Sequence, residues 1–204
     1  RLGISLGVDI VPFKTCTLDC VYCECGKTTR LSDLRERFVS AEQILTELEQ
    51  HLSHETELDY ITFSGSGEPT LNSDIGKIIR GIRQRSDKAI AVLTNGTLLS
   101  DPQVRADLTE ADLVLPSIDA VSEDVFMQIN RPCANIRLKE MLEGLTIFRN
   151  QFGGEIWLEV FIAAGYNDME SELTALQKTL KRISPDKIQL NTLDRPPAYE
   201  SVHG

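Results

Sequence analysis

Between Ile4 and Asn191 the sequence alternates about six times between short apolar runs and longer amphipathic ones. The expected strands are Ile4 to Pro12, Asp59 to Phe63, Ala89 to Leu93, Leu113 to Leu115, Ile156 to Ile162 and Lys187 to Asn191. Between them, apolar residues recur at helical spacing. Ile44, Leu45, Leu48 and Leu52 share one face, as do Ile75, Ile78, Ile79 and Ile82. Leu138, Met141, Leu142, Leu145 and Phe148 form a third such face, and Leu173, Leu176, Leu180 and Ile183 a fourth. Alternation of this kind predicts an α/β fold whose parallel strands are joined by right-handed crossovers. About six units are too few for a closed eight-fold barrel and suit an open, curved partial (β/α)6 barrel. Helix starts are expected at Ser40 (with Gln43 as its capping-box partner), at Asn72 or Ser73, at Ser100 with Pro102, and at Ser122. No linker, repeat or low-complexity tract interrupts the pattern, so residues 1–204 are expected to form one domain. The chain opens on Arg1 rather than Met and stops just after the sixth strand, from which we expect a longer native product.

Composition narrows the function classes. A hydrophobic content of 41% and a charged content of 25% are ordinary for a globular protein. The net charge of -10 counts against a surface built to wrap nucleic acid, although it leaves room for a local basic patch. No run approaches membrane-spanning length, and Gly3, Gly7, Asp9 and Pro12 break the first apolar run, so no signal peptide is expected. Of the 5 cysteines, Cys16, Cys20, Cys23 and Cys25 crowd into one loop, unlike the framework of a secreted disulfide protein. A reducing cytoplasm is the expected compartment.

That loop, Cys16-Thr17-Leu18-Asp19-Cys20-Val21-Tyr22-Cys23, directly follows the first strand. Closely spaced cysteines gather thiolates around one metal centre. A cube of four irons takes four ligands, and three from the protein would leave one iron open to a small molecule, as the open position of a catalytic zinc is. The alternative is a zinc or electron-transfer module without catalysis, with Cys25, His51, His54 or His203 as the fourth zinc ligand. In parallel α/β barrels ligands bind at the C-terminal ends of the strands. The other polar motifs share that address: Gly65 to Pro69 after the second strand, Asn95 after the third, Ser117 and Asp119 after the fourth, and Gly165 after the fifth.

The cysteine spacing, with an aromatic just before the third cysteine, resembles the radical S-adenosylmethionine (SAM) superfamily. The resemblance implies that Cys16, Cys20 and Cys23 hold a [4Fe-4S] cluster whose fourth iron is chelated by SAM. It implies reductive cleavage of SAM to a 5′-deoxyadenosyl radical that abstracts hydrogen from a substrate. Tyr22 would pack beside adenine. Gly65-Ser66-Gly67-Glu68-Pro69 resembles the family's Gly-Gly-Glu-Pro segment, with Gly65 and Gly67 admitting backbone carbonyls and Glu68 facing the SAM amino group. Thr94-Asn95-Gly96 resembles a pocket wall. Ser117 and Asp119 would reach the ribose or methionine carboxylate region, and Ile162, within Phe161 to Gly165, would cradle adenine. Asn191 and Asp194 are candidates for reaching the substrate, Glu159 stands unexplained within its apolar strand, and Cys25 lies outside the family pattern. Cations in Lys27 to Arg37 and at Arg131 suggest a patch facing substrate or a reductase.

Leu2 to Asp9, the cysteine loop ending at Gly26, and Ile129-Asn130-Arg131-Pro132 are most similar to a branch of uncharacterised Fe-S oxidoreductases related to wyosine-forming tRNA enzymes. Those carry a second cluster, whereas this chain has only Cys25 and Cys133 to spare. The expected partners are an electron donor such as flavodoxin or ferredoxin and a substrate left open, with tRNA modification or activation of a glycyl-radical protein as alternative classes.

Overall fold

The computed structural model describes residues 2–52 and 57–202. In chain order the elements are β1 (Ser5–Val8), β2 (Thr15–Cys16), β3 (Arg30–Leu31), α1 (Ala41–Leu52), β4 (Tyr60–Phe63), α2 (Ile75–Arg83), β5 (Ala89–Thr94), α3 (Pro102–Asp107), β6 (Leu113–Pro116), α4 (Glu123–Ile129), α5 (Leu138–Gln151), β7 (Glu155–Phe161), α6 (Glu170–Ile183) and β8 (Lys187–Asn191). Six strands form one sheet in the order β1-β4-β5-β6-β7-β8, all parallel. Its edges, β1 and β8, do not pair with each other, which leaves the barrel open as expected.

Period-two alternation along the strands gives the sheet two apolar faces. Ile61, Phe63, Ile90, Val92, Val114, Ile156, Leu158 and Val160 are fully buried in the main core, together with Ile75, Ile78, Ile79 and Ile82 of α2 and Leu145 and Phe148 of α5. The alternate positions, Tyr60, Ala91, Leu93, Leu113, Leu115 and Trp157, form a separate smaller cluster on the other face. Burying each large aliphatic or aromatic side chain contributes about 1.5–3 kcal/mol before the entropy of ordering is counted.

Several helix starts differ from expectation. Ser40 does cap α1, its Oγ accepting from Gln43 N at 3.2 Å. Asp74, rather than Asn72 or Ser73, precedes α2. Asn72 is instead turned inward, donating to Ile10 O at 2.8 Å and accepting from Asp74 N at 2.9 Å. Asp101, not Ser100, caps α3 by accepting from Gln103 N at 2.8 Å, because Asp101 is the residue immediately before Pro102 at the first helical position. Ser122 makes no side-chain cap. Glu172 of α6 accepts from the Ser122 and Val121 amides instead, at 3.0 and 2.6 Å. On α6, Leu173 is exposed, whereas Leu176 and Ile183 are buried.

A two-stranded parallel ladder, β2 with β3, was not anticipated. It ties Thr15 and Cys16 to Arg30 and Leu31, so the cysteine loop leaves and returns through hydrogen-bonded backbone.

Candidate cofactor site

The C-terminal ends of the strands surround a cavity of about 290 Å³ lined by Cys16, Cys20, Tyr22, Cys23, Ser64, Gly65, Gly67, Glu68, Asn95, Ser117, Asp119 and Glu159, among others. Residues separated by more than a hundred positions thus share one wall. Ile162, Gly165, Asn191 and Asp194 do not line the cavity, and Ile162 packs beside the main core instead. Cys25 is exposed and Cys133 buried, and neither lines it. His51 lies at the end of α1, against a different groove. His54 and His203 lie outside the described residues.

The cysteine loop is stitched to several elements. Asp19 N and Val21 N donate to backbone carbonyls of Asn130 and Ile129, at 3.0 and 2.9 Å. Thr28 N donates to Asp19 Oδ1 at 2.7 Å. Tyr199 crosses the loop, its amide donating to Val21 O at 3.1 Å and its hydroxyl to Asp19 Oδ2 at 2.6 Å. The Tyr199 ring is flanked by Lys27, 4.5 Å from its centroid, and Arg131, 4.0 Å away. The expected cationic patch is therefore largely paired, since Arg30, Arg35 and Arg37 also meet carboxylates.

Each of the three cavity cysteines receives a side-chain N–H. Asn95 Nδ2 lies 3.4 Å from Cys16 Sγ, Asn130 Nδ2 3.4 Å from Cys20 Sγ, and Lys14 Nζ 3.2 Å from Cys23 Sγ. Burial, reinforced by Glu68, pushes the Cys16 thiol up to about 12. Burial, reinforced by Asp119, raises Cys20 well above the usual thiol range. Such thiols ionise when a bound metal supplies positive charge, because a coordinating thiol gives up its proton outright. Side-chain donors aimed at three sulfurs that line one cavity fit an iron-sulfur cluster. Among the described residues no group of three or more His, Cys, Asp or Glu is gathered tightly enough for a single metal ion.

Two buried carboxylates frame the cavity. Glu68 Oε1 accepts from Thr70 N, Thr70 Oγ1 and Thr94 Oγ1 at 3.0, 2.6 and 2.7 Å, and Oε2 accepts from Asn95 N at 2.7 Å. Glu68 thereby joins the end of β4 to the end of β5. Burial raises its pKa and these hydrogen bonds oppose the rise. Asp119 Oδ1 accepts from Phe161 N at 2.9 Å, while Oδ2 accepts from Asn130 Nδ2 at 2.8 Å and from the Tyr22 hydroxyl. It too is raised by burial against opposing hydrogen bonds. The Tyr22 ring stacks on Phe161 with centroids 3.9 Å apart and planes 8° from parallel. Asn167 completes this corner, donating to the carbonyls of Asp119 and Phe161 at 2.7 and 2.6 Å.

The glycines have a packing reason beyond any ligand. A Cβ on Gly65 would collide with the Asp9 carboxylate, and one on Gly67 with the Thr15 carbonyl. The Gly65–Glu68 turn is pressed against the segment that launches the cysteine loop, with Glu68 N donating to Thr15 O at 3.0 Å.

The Radical SAM superfamily model matches residues 10–180. This chain belongs to the radical SAM superfamily. The family uses a [4Fe-4S] cluster with SAM, and those are the cofactors of this chain. Among relatives, the chain is 41% identical over 206 residues to a UPF0026 protein of Synechocystis, covering 100% of this chain and 76% of that one. It is 42% identical over 202 residues to a Brachyspira hyodysenteriae protein named GTPase Obg, covering 99% of this chain and 30% of that one. A solved structure of TYW1 with a lysine-pyruvate adduct bound superposes with a TM-score of 0.62 at 19% identity, covering 87% of this chain and 61% of that one, and shows the shared radical SAM fold. The chain thus spans between 30% and 76% of the length of these relatives. No described helix is long and apolar enough to cross a membrane.

The cysteine and glycine-rich segments signalled themselves in the sequence. Asn130 was marked only as part of the Ile129–Pro132 segment, without a role, and Lys14 and Asn167 not at all, because a lone Lys, or an Asn in a loop, looks like solvated surface until the fold turns it inward.

Proposed function

We propose that this chain is the catalytic core of a radical SAM enzyme acting on a substrate yet to be identified, with Cys16, Cys20 and Cys23 as cluster ligands. The observation that carries the reading is the meeting of those three sulfurs in one cavity with Gly65, Gly67, Glu68, Asn95, Ser117 and Asp119. When bound, the cluster and SAM supply one-electron cleavage of the sulfonium and a 5′-deoxyadenosyl radical for hydrogen abstraction. The protein's own residues bind, orient and exclude water. Glu68 and the backbone of Gly65 and Gly67 would hold the amino group of SAM. Ser117 and Asp119 would meet its ribose or carboxylate. Tyr22, which lines the cavity and stacks on Phe161, would offer an apolar wall for adenine. Asp119 holds Tyr22 and Asn130 in place, and Asn130 in turn faces Cys20.

Residues 1–204 act in this reading as one unit. A reduced flavodoxin or ferredoxin would deliver the electron, in the cytoplasm, where an exposed Cys25 also stays reduced. The net charge of -10 offers tRNA no broad landing surface, so the substrate of the wyosine-forming enzymes is not carried over.

The test is anaerobic reconstitution with iron and sulfide, reduction with dithionite, addition of SAM and assay of 5′-deoxyadenosine. Product is expected from the parent chain and from Cys25→Ala, and none from Cys16→Ala, Cys20→Ala or Cys23→Ala. Protein that takes up zinc alone and leaves SAM intact overturns the reading in favour of a binding module.

A further inference from the structure

The three cysteine donors are not equivalent. Asn95 and Asn130 offer neutral amides, whereas Lys14 offers an ammonium, 3.2 Å from Cys23 Sγ. Lys14 is only 3% exposed. Among the described residues, the hydrogen-bond partner of its side chain is that sulfur. A cationic side chain is seldom buried without a partner, and this one is aimed at the sulfur of a proposed cluster ligand.

The backbone adds an independent observation. Lys14 has φ of 57°, in the left-handed region that disfavours side chains and suits glycine. That conformation is clamped from several sides. Lys14 N donates to Ser66 O at 3.0 Å, and Lys14 O accepts from Thr29 N and Arg30 N, each at 3.1 Å. Ser66 belongs to the glycine-rich turn, while Thr29 and Arg30 lie where the cysteine loop returns. The site thus keeps a lysine where glycine would be less strained, and directs its side chain inward.

We propose that Lys14 is the built-in counter-charge of the cluster, seated on its Cys23 side, and that it sets the reduction potential at which the cluster accepts an electron. The inference rests on the radical SAM reading above and deepens it. Reduction adds one negative charge beside a buried ammonium. A fixed positive charge there favours the reduced form, and charge and hydrogen bonds at the sulfurs are among the determinants of cluster potential. Asn95 and Asn130 act in the same direction but as dipoles, so their shares are smaller. Lys14 is a tuning residue, acting through Cys23 and the cluster.

The experiment is an EPR-monitored redox titration of anaerobically reconstituted protein, with iron and sulfide quantified for each variant. Compared are the parent chain, Lys14→Met and Lys14→Gln, which remove the charge, and Lys14→Arg, which keeps it. The neutral variants are expected to show at least a tenfold lower reduced-to-oxidised ratio at a fixed potential, about 59 mV for one electron. Lys14→Arg is expected to stay near the parent value. A parent-like potential in Lys14→Met or Lys14→Gln at full iron content overturns the proposal. If neither neutral variant retains iron while Lys14→Arg does, the charge is needed to hold the cluster rather than to tune it, and the proposal that Lys14 sets the potential falls. If Lys14→Arg also loses its iron, shape rather than charge is what the site requires, and the proposal falls. A parent chain that binds no four-iron cluster fails differently: it overturns the radical SAM reading itself, and this inference with it.

Discussion

At the N-terminal ends of the strands, Asp59, Asp112 and Asp186 each stand just before a strand and accept the amide at the start of the neighbouring one. Their partners are Ile4 N, Ile90 N and Ile156 N, at 2.8, 2.6 and 2.8 Å. Asp112 also meets Arg83 and Asp186 meets Arg149, in partial contact with solvent. At the C-terminal ends, Glu68 and Asp119 are buried and accept hydrogen bonds from neutral donors, and among the described residues neither meets an arginine. The lower pKa of Asp186 and the raised ones of Glu68 and Asp119 record the same contrast. One end uses carboxylates to align strands in water, where ion pairs contribute little. The other keeps them dry, at a cost offset only if every hydrogen bond is made. The consequences of substitution should differ accordingly.

The largest effect is expected at Asp119. Asp119→Ala strands the Tyr22 hydroxyl, Asn130 Nδ2 and Phe161 N in a dry corner. Each unsatisfied group costs about 1–3 kcal/mol. We expect a loss of about 3 kcal/mol or more, read as a fall in Tm of roughly 6–12 °C, together with poor cluster uptake because Asn130 is freed from its place beside Cys20. A Tm within a few degrees of the parent would show that the buried end is no more demanding than the exposed one.

Glu68→Gln comes next. The amide keeps an acceptor but presents an N–H to one of the donors now facing a carboxylate, so a loss of about 1–2 kcal/mol is expected in thermal or chemical unfolding. Affinity for SAM, measured by calorimetry on cluster-loaded protein, should fall about tenfold, which corresponds to about 1.4 kcal/mol. Lost stability with unchanged affinity would make Glu68 a clamp between β4 and β5 and nothing more.

The same contrast explains what was legible in the sequence. Apolar periodicity located the strands and helix faces, since Ile61, Phe63, Ile90 and Val92 must alternate to be buried. The cysteine loop and Gly65–Glu68 were legible because both are local. Helix caps were less so: Asp101 sits beside the expected Ser100, and Glu172 serves a helix start some 50 residues away. The aspartates at the other end did carry a signal that was passed over, an Asp immediately before an apolar run at Asp59 and Asp112 and again at Asp186. Lys14 gains meaning only from a partner brought near by folding, and so does the role of Asn130 beside Cys20, although its segment was marked in the sequence.

Tyr199→Phe probes the strap over the cysteine loop. It removes the hydrogen bond to Asp19 but keeps the ring between Lys27 and Arg131. A cost of about 0.5–1.5 kcal/mol is expected, with faster amide hydrogen exchange at Val21 and its neighbours. Exchange unchanged in the loop would mean that the ring, not the hydroxyl, holds it.

The smallest effect is expected at Asp186, and its pH dependence identifies its source. The Ile156 amide and then Arg149 hold this carboxyl below its ordinary value of 3.8. A lowered folded value means that ionised Asp186 stabilises the fold above the unfolded pKa, about 3.9, and that this contribution disappears as pH falls through the folded value below it. Solvent screens the pair with Arg149, whose side chains are 28% and 35% exposed. Asp186→Asn, which preserves an acceptor for Ile156 N, should therefore cost no more than about 1 kcal/mol near neutrality. The Tm gap between parent and variant should narrow steadily as pH drops below about 4, and added salt at pH 7 should narrow it as well. A gap that persists undiminished at low pH would assign the contribution to packing at the start of β7 and β8 rather than to the charge. The exposed end would then lose the electrostatic character that sets it apart from the buried one.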